Sequence, residues 1–389
     1  VAISWSLLLS SMLLLLAQAQ PNPSLDQASA IPGRASQPYS LTDRQRYGFV
    51  VISSRWPERF DTGQLHAGWY ADYTLPNCRV SPEGLDRALG IHVGDFDAVP
   101  PWLGLLVDNH VGTIWLIGNE PDRKFIQDDR LPEQYAHDYH DLYEFIKGRD
   151  PTARIAAANI VQPTPIRLAY LDRVLAEYQS AYSQPMPVDV WAIHNMILNE
   201  RPGYYGADIP PGMELSATLA LTVPFTANDN VVTFTQQILT FRQWMADRGY
   251  QGYPLLVTEY GILMPDDLGY DAARVNAFMD ATFEWMATVT DTQLGDPSDG
   301  YRLVQRWAWY SLDDQMWDWQ TGVGFNGNLF DPDTTEITVF GEHFATHTVS
   351  FPPLSYVDLV FGQLRALPPS TLPGPTGTLT LTLLVEVQN

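Results

Sequence analysis

The sequence has 389 residues, enough for two or three folding units, a formal charge of −23 and one cysteine, Cys78. That charge argues against a nucleic-acid partner, because phosphate backbones are met by Lys and Arg. It is compatible with neutral ligands, or simply with a well-solvated surface. One cysteine excludes an intramolecular disulfide and any multi-cysteine metal site within the chain.

In chain order, the first feature is an apolar run from Trp5 to Leu16 followed by Ala17-Gln18-Ala19. An h-region closed by an Ala-x-Ala signal predicts a secretory signal peptide over 1–19. The run is short for a bilayer span, which disfavours a membrane anchor. No basic n-region precedes it and the first residue is Val1, so the sequence reads as truncated at its start. An exported chain that forms no internal disulfide is expected of a bacterial protein, secreted or at the cell surface. Residues 20–43, rich in Pro, Ser, Ala and Gln, read as a disordered leader.

From about Arg44 the pattern alternates. Strands are predicted at 47–52, 68–73, 88–93, 113–118, 154–161, 188–194, 255–258 and 304–311. Helices are predicted within 96–110, where Pro100 and Pro101 limit the start, and at 131–149, 165–182, 231–248, 272–288 and 338–346. Thr164 is a candidate N-cap with Pro165 in the first turn. Eight strands alternating with mostly helical segments predict an α/β chain folded as a (β/α)8 TIM barrel over 44–350. A doubly wound sheet would carry a glycine-rich turn after its first strand; here that turn is Ser53-Ser54-Arg55-Trp56-Pro57. The long, Pro- and Gly-bearing stretch Glu200 to Asn230 sits where barrel insertions shape a cleft, and its aromatics favour an ordered lid over a loose loop.

Residues 351–389 change character. Val357-Asp358-Leu359-Val360, a Pro/Gly-rich connection and the alternating run Thr378 to Asn389 read as a linker and β-strands. This segment resembles the opening of a CARDB-type (cell-adhesion-related) β-sandwich, cut short. The resemblance implies attachment to a cell surface through this region.

Two segments carry the chemistry: Ile114-Trp115-Leu116-Ile117-Gly118-Asn119-Glu120-Pro121 and Leu255-Leu256-Val257-Thr258-Glu259-Tyr260-Gly261. Each is an apolar run, as in a strand buried on both faces, that stops at a glutamate. A carboxylate at the C-terminal tip of a barrel strand lies at the catalytic mouth, and two on different strands are what glycosidic cleavage requires. Either alone could be a structural carboxylate paired with Arg.

The pattern resembles clan A of the glycoside hydrolases, most closely the "glycosyl hydrolase catalytic core" group that includes family 128. That resemblance implies Glu120 as general acid/base and Glu259 as nucleophile of a retaining reaction. The Coulomb penalty of two adjacent charges agrees, since it leaves one proton on the pair, expected on Glu120. Asn119 resembles the clan's contact to the sugar 2-hydroxyl, against a turn or cap role. Trp309 resembles the strand-eight Trp beneath the sugar, whereas Trp307 reads as core. His194 resembles the clan's strand-six His or Tyr, or is a satisfied buried histidine. His92 and Arg55 lie at predicted strand tips; Trp69, Tyr70 and Tyr260 line subsites or fill the core.

No cofactor or metal is expected. The sequence lacks a Gly-x-Ser-x-Gly elbow, a phosphate loop and a His-Glu-x-x-His site. His137 and His140 read as a solvated face, and Asp331, Asp333 and Glu336 as a polar turn rather than a calcium site. The expected partner is a polysaccharide or oligosaccharide, with no membrane association after signal cleavage. Endo cleavage of an extracellular polysaccharide is the reading. A non-catalytic carbohydrate-binding barrel, or an inverting hydrolase with carboxylates farther apart, stands as the alternative.

Overall fold

The computed structural model describes residues 41–52, 59–75, 82, 84–203 and 205–352. The predicted signal peptide, most of the leader, Arg55, Cys78 and the CARDB-like strands lie outside the described residues.

Eight parallel strands close into a barrel in sequence order. They are β1 (Tyr47–Val51), β2 (Trp69–Asp72), β3 (Asp86–Ile91), β4 (Ile114–Ile117), β5 (Arg154–Ile160), β6 (Val190–His194), β7 (Leu255–Tyr260) and β8 (Arg306–Trp309). Around them lie α1 (Leu103–Asn109), α2 (Pro132–Arg149), α3 (Pro165–Tyr182), α4 (Val231–Asp247), α5 (Ala272–Thr288) and α6 (Val339–Thr348). The predicted (β/α)8 barrel is the observed fold. Among the described residues, no helix is long and apolar enough to cross a membrane.

The strands are apolar on both faces because each face meets a different layer. Val50, Trp69, Ala71, Ala88, Leu116, Ala156, Ala192, Leu256 and Ala308 share the barrel interior. The alternate residues, among them Phe49, Tyr70, Leu89, Trp115, Ile193, Trp307 and Trp309, pack in one cluster with the helices. The interior is mostly small because a few large rings fill it. A Cβ on Gly48 would lie 2.4 Å from the Trp69 indole, and one on Gly90 2.2 Å from the Tyr73 ring.

Trp69 therefore plugs the barrel rather than lining its mouth. It opens β2, pairs in register with Gly48 and Asp86, and donates its Nε1–H to the carbonyl of Arg46 at 3.1 Å. All three neighbours lie at the N-terminal end, opposite the catalytic face of such barrels.

The predicted helix within 96–110 shortens to α1, which starts after Pro100 and Pro101. The start of α3 has Pro165 in its first turn, but Thr164 makes no side-chain cap. Its hydroxyl donates instead to Glu200 at 2.6 Å. Glu200 also accepts from Arg167 Nε at 2.7 Å, and Arg167 Nη1 reaches Asp122 at 2.6 Å. These three charged side chains are fully buried. They tie the loop after β4, the start of α3 and the insertion after β6 into one unit. Glu200 further accepts the Leu221 N–H at 2.6 Å, and Arg167 Nη2 donates to the carbonyl of Asp208 at 2.7 Å. The described residues of 200–230 are thus held in place, with 3-10 helices at Glu214–Leu219 and Phe225–Ala227.

Candidate active site

Glu120 follows β4 and Glu259 is the penultimate residue of β7, so both stand at the C-terminal rim of the barrel. Their aim depends on local irregularity. Gly118 has φ +85° and Glu120 φ +46°, a left-handed turn that non-glycine residues resist by about 1 kcal/mol or more. Backbone contacts hold it: the Glu120 N–H donates to the Asn159 carbonyl at 3.1 Å, and the Glu120 carbonyl accepts the Arg123 N–H at 3.0 Å.

On β7, strict alternation from the inward Leu256 would send Glu259 outward toward the helices. The registers of β6–β7 and β7–β8 each shift at this point, and such a bulge exchanges the faces. Glu259 turns into the mouth and Tyr260 turns out.

His194, the last residue of β6 and the register partner of Glu259, joins the pair. Its Nδ1 lies 3.0 Å from Glu120 Oε1 and 3.3 Å from Glu259 Oε2. One atom from each of the three side chains falls within 4.8 Å of the others. On its other side, His194 Nε2 lies 3.3 Å from the Tyr73 hydroxyl. All are buried.

The charges around the two carboxylates are unequal. Burial pushes Glu120 up, but Arg123, whose Nη1 donates to Oε2 at 2.9 Å, and His194 outweigh it and hold the group well below its ordinary value. Burial also pushes Glu259 up, and the neighbouring Glu120 charge adds to the rise; His194 only partly offsets it, and the group stands at about 7. Glu259 Oε1 is buried without a hydrogen-bond partner. The surroundings thus favour a negative charge on Glu120 over one on Glu259. The physical reason is Arg123, three residues after Glu120, which turns back onto it.

Asn119 is buried beside Glu120; its Nδ2 donates to Gln127 at 3.1 Å, while its Oδ1 has no partner. His92 stands at the mouth, with Nδ1 3.1 Å from Asp128 Oδ1 and its ring against Tyr73. Burial lowers its pKa, and the Asp128 hydrogen bond and charge more than reverse this. Asp128 is a hub that sequence reasoning missed. Its Oδ2 also accepts the N–H groups of Val93 at 3.0 Å and Asn119 at 2.7 Å, locking the β3 and β4 tips together.

Trp309, Tyr260 and Tyr70 are not brought to the mouth. Trp309 is fully buried, packs on Tyr260 and on Phe278 and Phe283 of α5, and donates Nε1–H to the Gly327 carbonyl at 2.8 Å. The platform role expected of Trp309 does not fit that position. Tyr260 packs against Phe234, Phe278 and Phe283, and Tyr70 stacks on Phe49. Among the described residues, Tyr73, after β2, and Tyr310, after β8, stand at the inner mouth instead. Tyr310 belongs to the interior cluster, with its hydroxyl on Asp314.

No protein-family model matches the sequence, and no curated protein matches it. Solved structures do. A glucosidase from Croceicoccus marinus aligns at 13% identity over 79% of this chain and 68% of that one, with a TM-score of 0.51. A GH128 subgroup I endo-β-1,3-glucanase from Amycolatopsis mediterranei, in complex with laminaripentaose, aligns at 17% identity over 77% and 98% of the two chains, with a TM-score of 0.49. A GH128 subgroup III curdlan-specific exo-β-1,3-glucanase from Blastomyces gilchristii aligns at 16% identity over 77% and 97%, also with a TM-score of 0.49. Its structural neighbours are thus β-1,3-glucanases and other glycosidases, and the chain shares with the Croceicoccus glucosidase a barrel fold of the kind its sequence resembles.

Proposed function

We propose that the protein is a secreted, retaining β-glycosidase that cleaves an extracellular polysaccharide from within the chain. One observation carries the reading: two buried carboxylates converge at the barrel mouth with oxygens no more than 4.8 Å apart. That approach favours the retaining class, whose carboxyl groups stand about 5–5.5 Å apart, over the inverting class at about 6.5–9.5 Å.

Glu259 attacks the anomeric carbon as a carboxylate and forms a glycosyl ester, while Glu120 gives its proton to the leaving oxygen. Because the surroundings favour charge on Glu120, a proton shift comes first. His194 Nδ1–H passes its proton to Glu120, and Glu259 passes its own to the vacated Nδ1. One proton moves from Glu259 to Glu120 and His194 ends as it began. A glycosidic oxygen that draws Glu120 away from Arg123 drives this transfer, because it removes the cation holding Glu120 ionised. Once Glu259 is esterified, its charge is gone. Glu120, now ionised, takes a proton from water as the water attacks the ester.

Asn119 is assigned to the sugar 2-hydroxyl through its unpartnered Oδ1, and His92 and Tyr310 to the rim of the reacting subsite. Loops after β4, β6 and β8 expose Phe125, Tyr205, Phe225 and Trp319. Rings spread around a mouth suit several sugar faces in succession, which supports endo action. A barrel that only bound glycan would have no need of an apposed, buried acid pair.

The test is a screen of the purified protein against β-glucans, xylan and mannan, with product sizing and anomer analysis. Mixed oligosaccharides released with retained configuration are expected. Absence of cleavage across the panel would favour the binding module, and inverted products would remove the nucleophile role of Glu259.

A further inference from the structure

The helical shell, separated from the glutamate pair by the barrel wall, brings a second group of ligand-type side chains together. His343 and His347 stand one turn apart on α6, and so on one face. Asp280 on α5 faces them. Its Oδ1 lies 2.7 Å from His343 Nε2 and 2.9 Å from His347 Nε2. The ligand atoms of all three side chains lie within 4.8 Å of one another. Both Nε2 atoms thus converge on one oxygen, with the two rings inclined at 78°. His347 is braced against the Phe283 ring at 5.1 Å, which restricts its rotamers. Both histidine side chains are mostly buried, while Asp280 is about half exposed, leaving one side of the cluster open to water.

We infer that Asp280, His343 and His347 bind a divalent late transition ion, zinc foremost, which clips α6 to α5. Two imidazoles and a carboxylate suit zinc and its neighbours, whereas magnesium and calcium favour all-oxygen sets. At zinc–ligand distances of about 2.0–2.2 Å, tetrahedral ligands stand roughly 3.3–3.5 Å apart. The observed contacts therefore open by about half an ångström on binding, within reach of a half-exposed aspartate. Each imidazole binds as the neutral tautomer with its proton on Nδ1, and water takes the fourth position. The clip acts on the last described helix, which is otherwise held by Phe340 and Phe344 in the core and by the Thr348 hydroxyl on the Leu65 carbonyl at 2.6 Å.

The experiment is a zinc titration of the full chain, first stripped with chelator, followed by calorimetry and thermal unfolding. Wild type is expected to bind one zinc saturably, at micromolar concentration or tighter, with Tm rising by about 2–5 °C. Asp280→Asn and His343→Gln, both at partly open positions, are each expected to weaken binding tenfold or more and to remove the Tm rise. The buried Glu120, His194 and Glu259 set is the rival location. Zinc binding that survives Asp280→Asn and His343→Gln but disappears in Glu259→Gln overturns the proposal, and so does the lack of any saturable one-to-one binding by wild type.

Discussion

Glu120 and Glu259 are chemically identical, and their surroundings set them apart. Arg123 and His194 stabilise a negative charge on Glu120, and burial beside that charge raises the pKa of Glu259. The two titrate as a unit, and the proposed mechanism uses a single shared proton. With Glu259 at about 7, kcat/KM should fall about tenfold per pH unit above neutrality, as that proton is lost. A pH–rate profile flat to pH 9 would contradict the shared-proton account.

The same shift bears on stability. The Glu259 pKa is raised on folding from an ordinary 4.5 to about 7. Its contribution is therefore fully present below pH 4.5 and lost as pH rises toward 7 and beyond. Glu259→Gln should match wild type in Tm near pH 4 and exceed it by several degrees at pH 8; equal Tm values at both would show that the buried carboxylate carries no such penalty.

Both glutamates were legible because each ends an apolar strand abruptly. Arg123, Asp128 and Tyr73 were not, because they act from turns whose path follows from tertiary contacts. Tyr260, open between subsite and core, falls in the core because β7 breaks register beside its neighbours; Trp309 was placed by resemblance, whereas the unbroken alternation of β8 carries it with Trp307 to the helix side.

At the scale of elements, most strand and helix positions followed from periodicity and punctuation. The eighth strand narrowed from 304–311 to Arg306–Trp309, and the seventh extended from 258 to Tyr260. The side-chain role of Thr164 was less legible, because its hydroxyl is oriented by donating to a buried carboxylate 36 residues on in sequence. That carboxylate, Glu200, completes the Asp122–Arg167–Glu200 network that ties the insertion to the scaffold. Replacing Arg167 with Met strands two buried carboxylates. Removing one partner of such a network costs about 3–5 kcal/mol, so Tm should fall by roughly 5–10 °C. Because Arg167 Nη1 also binds the Asp122 carbonyl at 2.7 Å, two residues after Glu120, kcat should drop as well. A variant with unchanged Tm and kcat would mean that the insertion is held by other contacts.

Taken whole, the molecule divides its labour along the barrel axis. The N-terminal end is sealed by Trp69 under the Arg306 guanidinium, 5.7 Å from the ring, and stabilises. The C-terminal end collects Glu120, His194, Glu259, Tyr73 and Tyr310, and there strict geometry gives way to bulges and left-handed residues. Regular pattern specifies the barrel and local departures from it aim the chemistry, which explains why the fold was read more completely than the site.

The central claim is that Glu259 forms a bond to the sugar. The most direct measurement is the initial rate of polysaccharide cleavage by Glu259→Ala against wild type, with circular dichroism confirming that both are folded. The account predicts a loss of at least a thousandfold in a folded variant that still binds glycan. A folded Glu259→Ala that cleaves at the wild-type rate would contradict it.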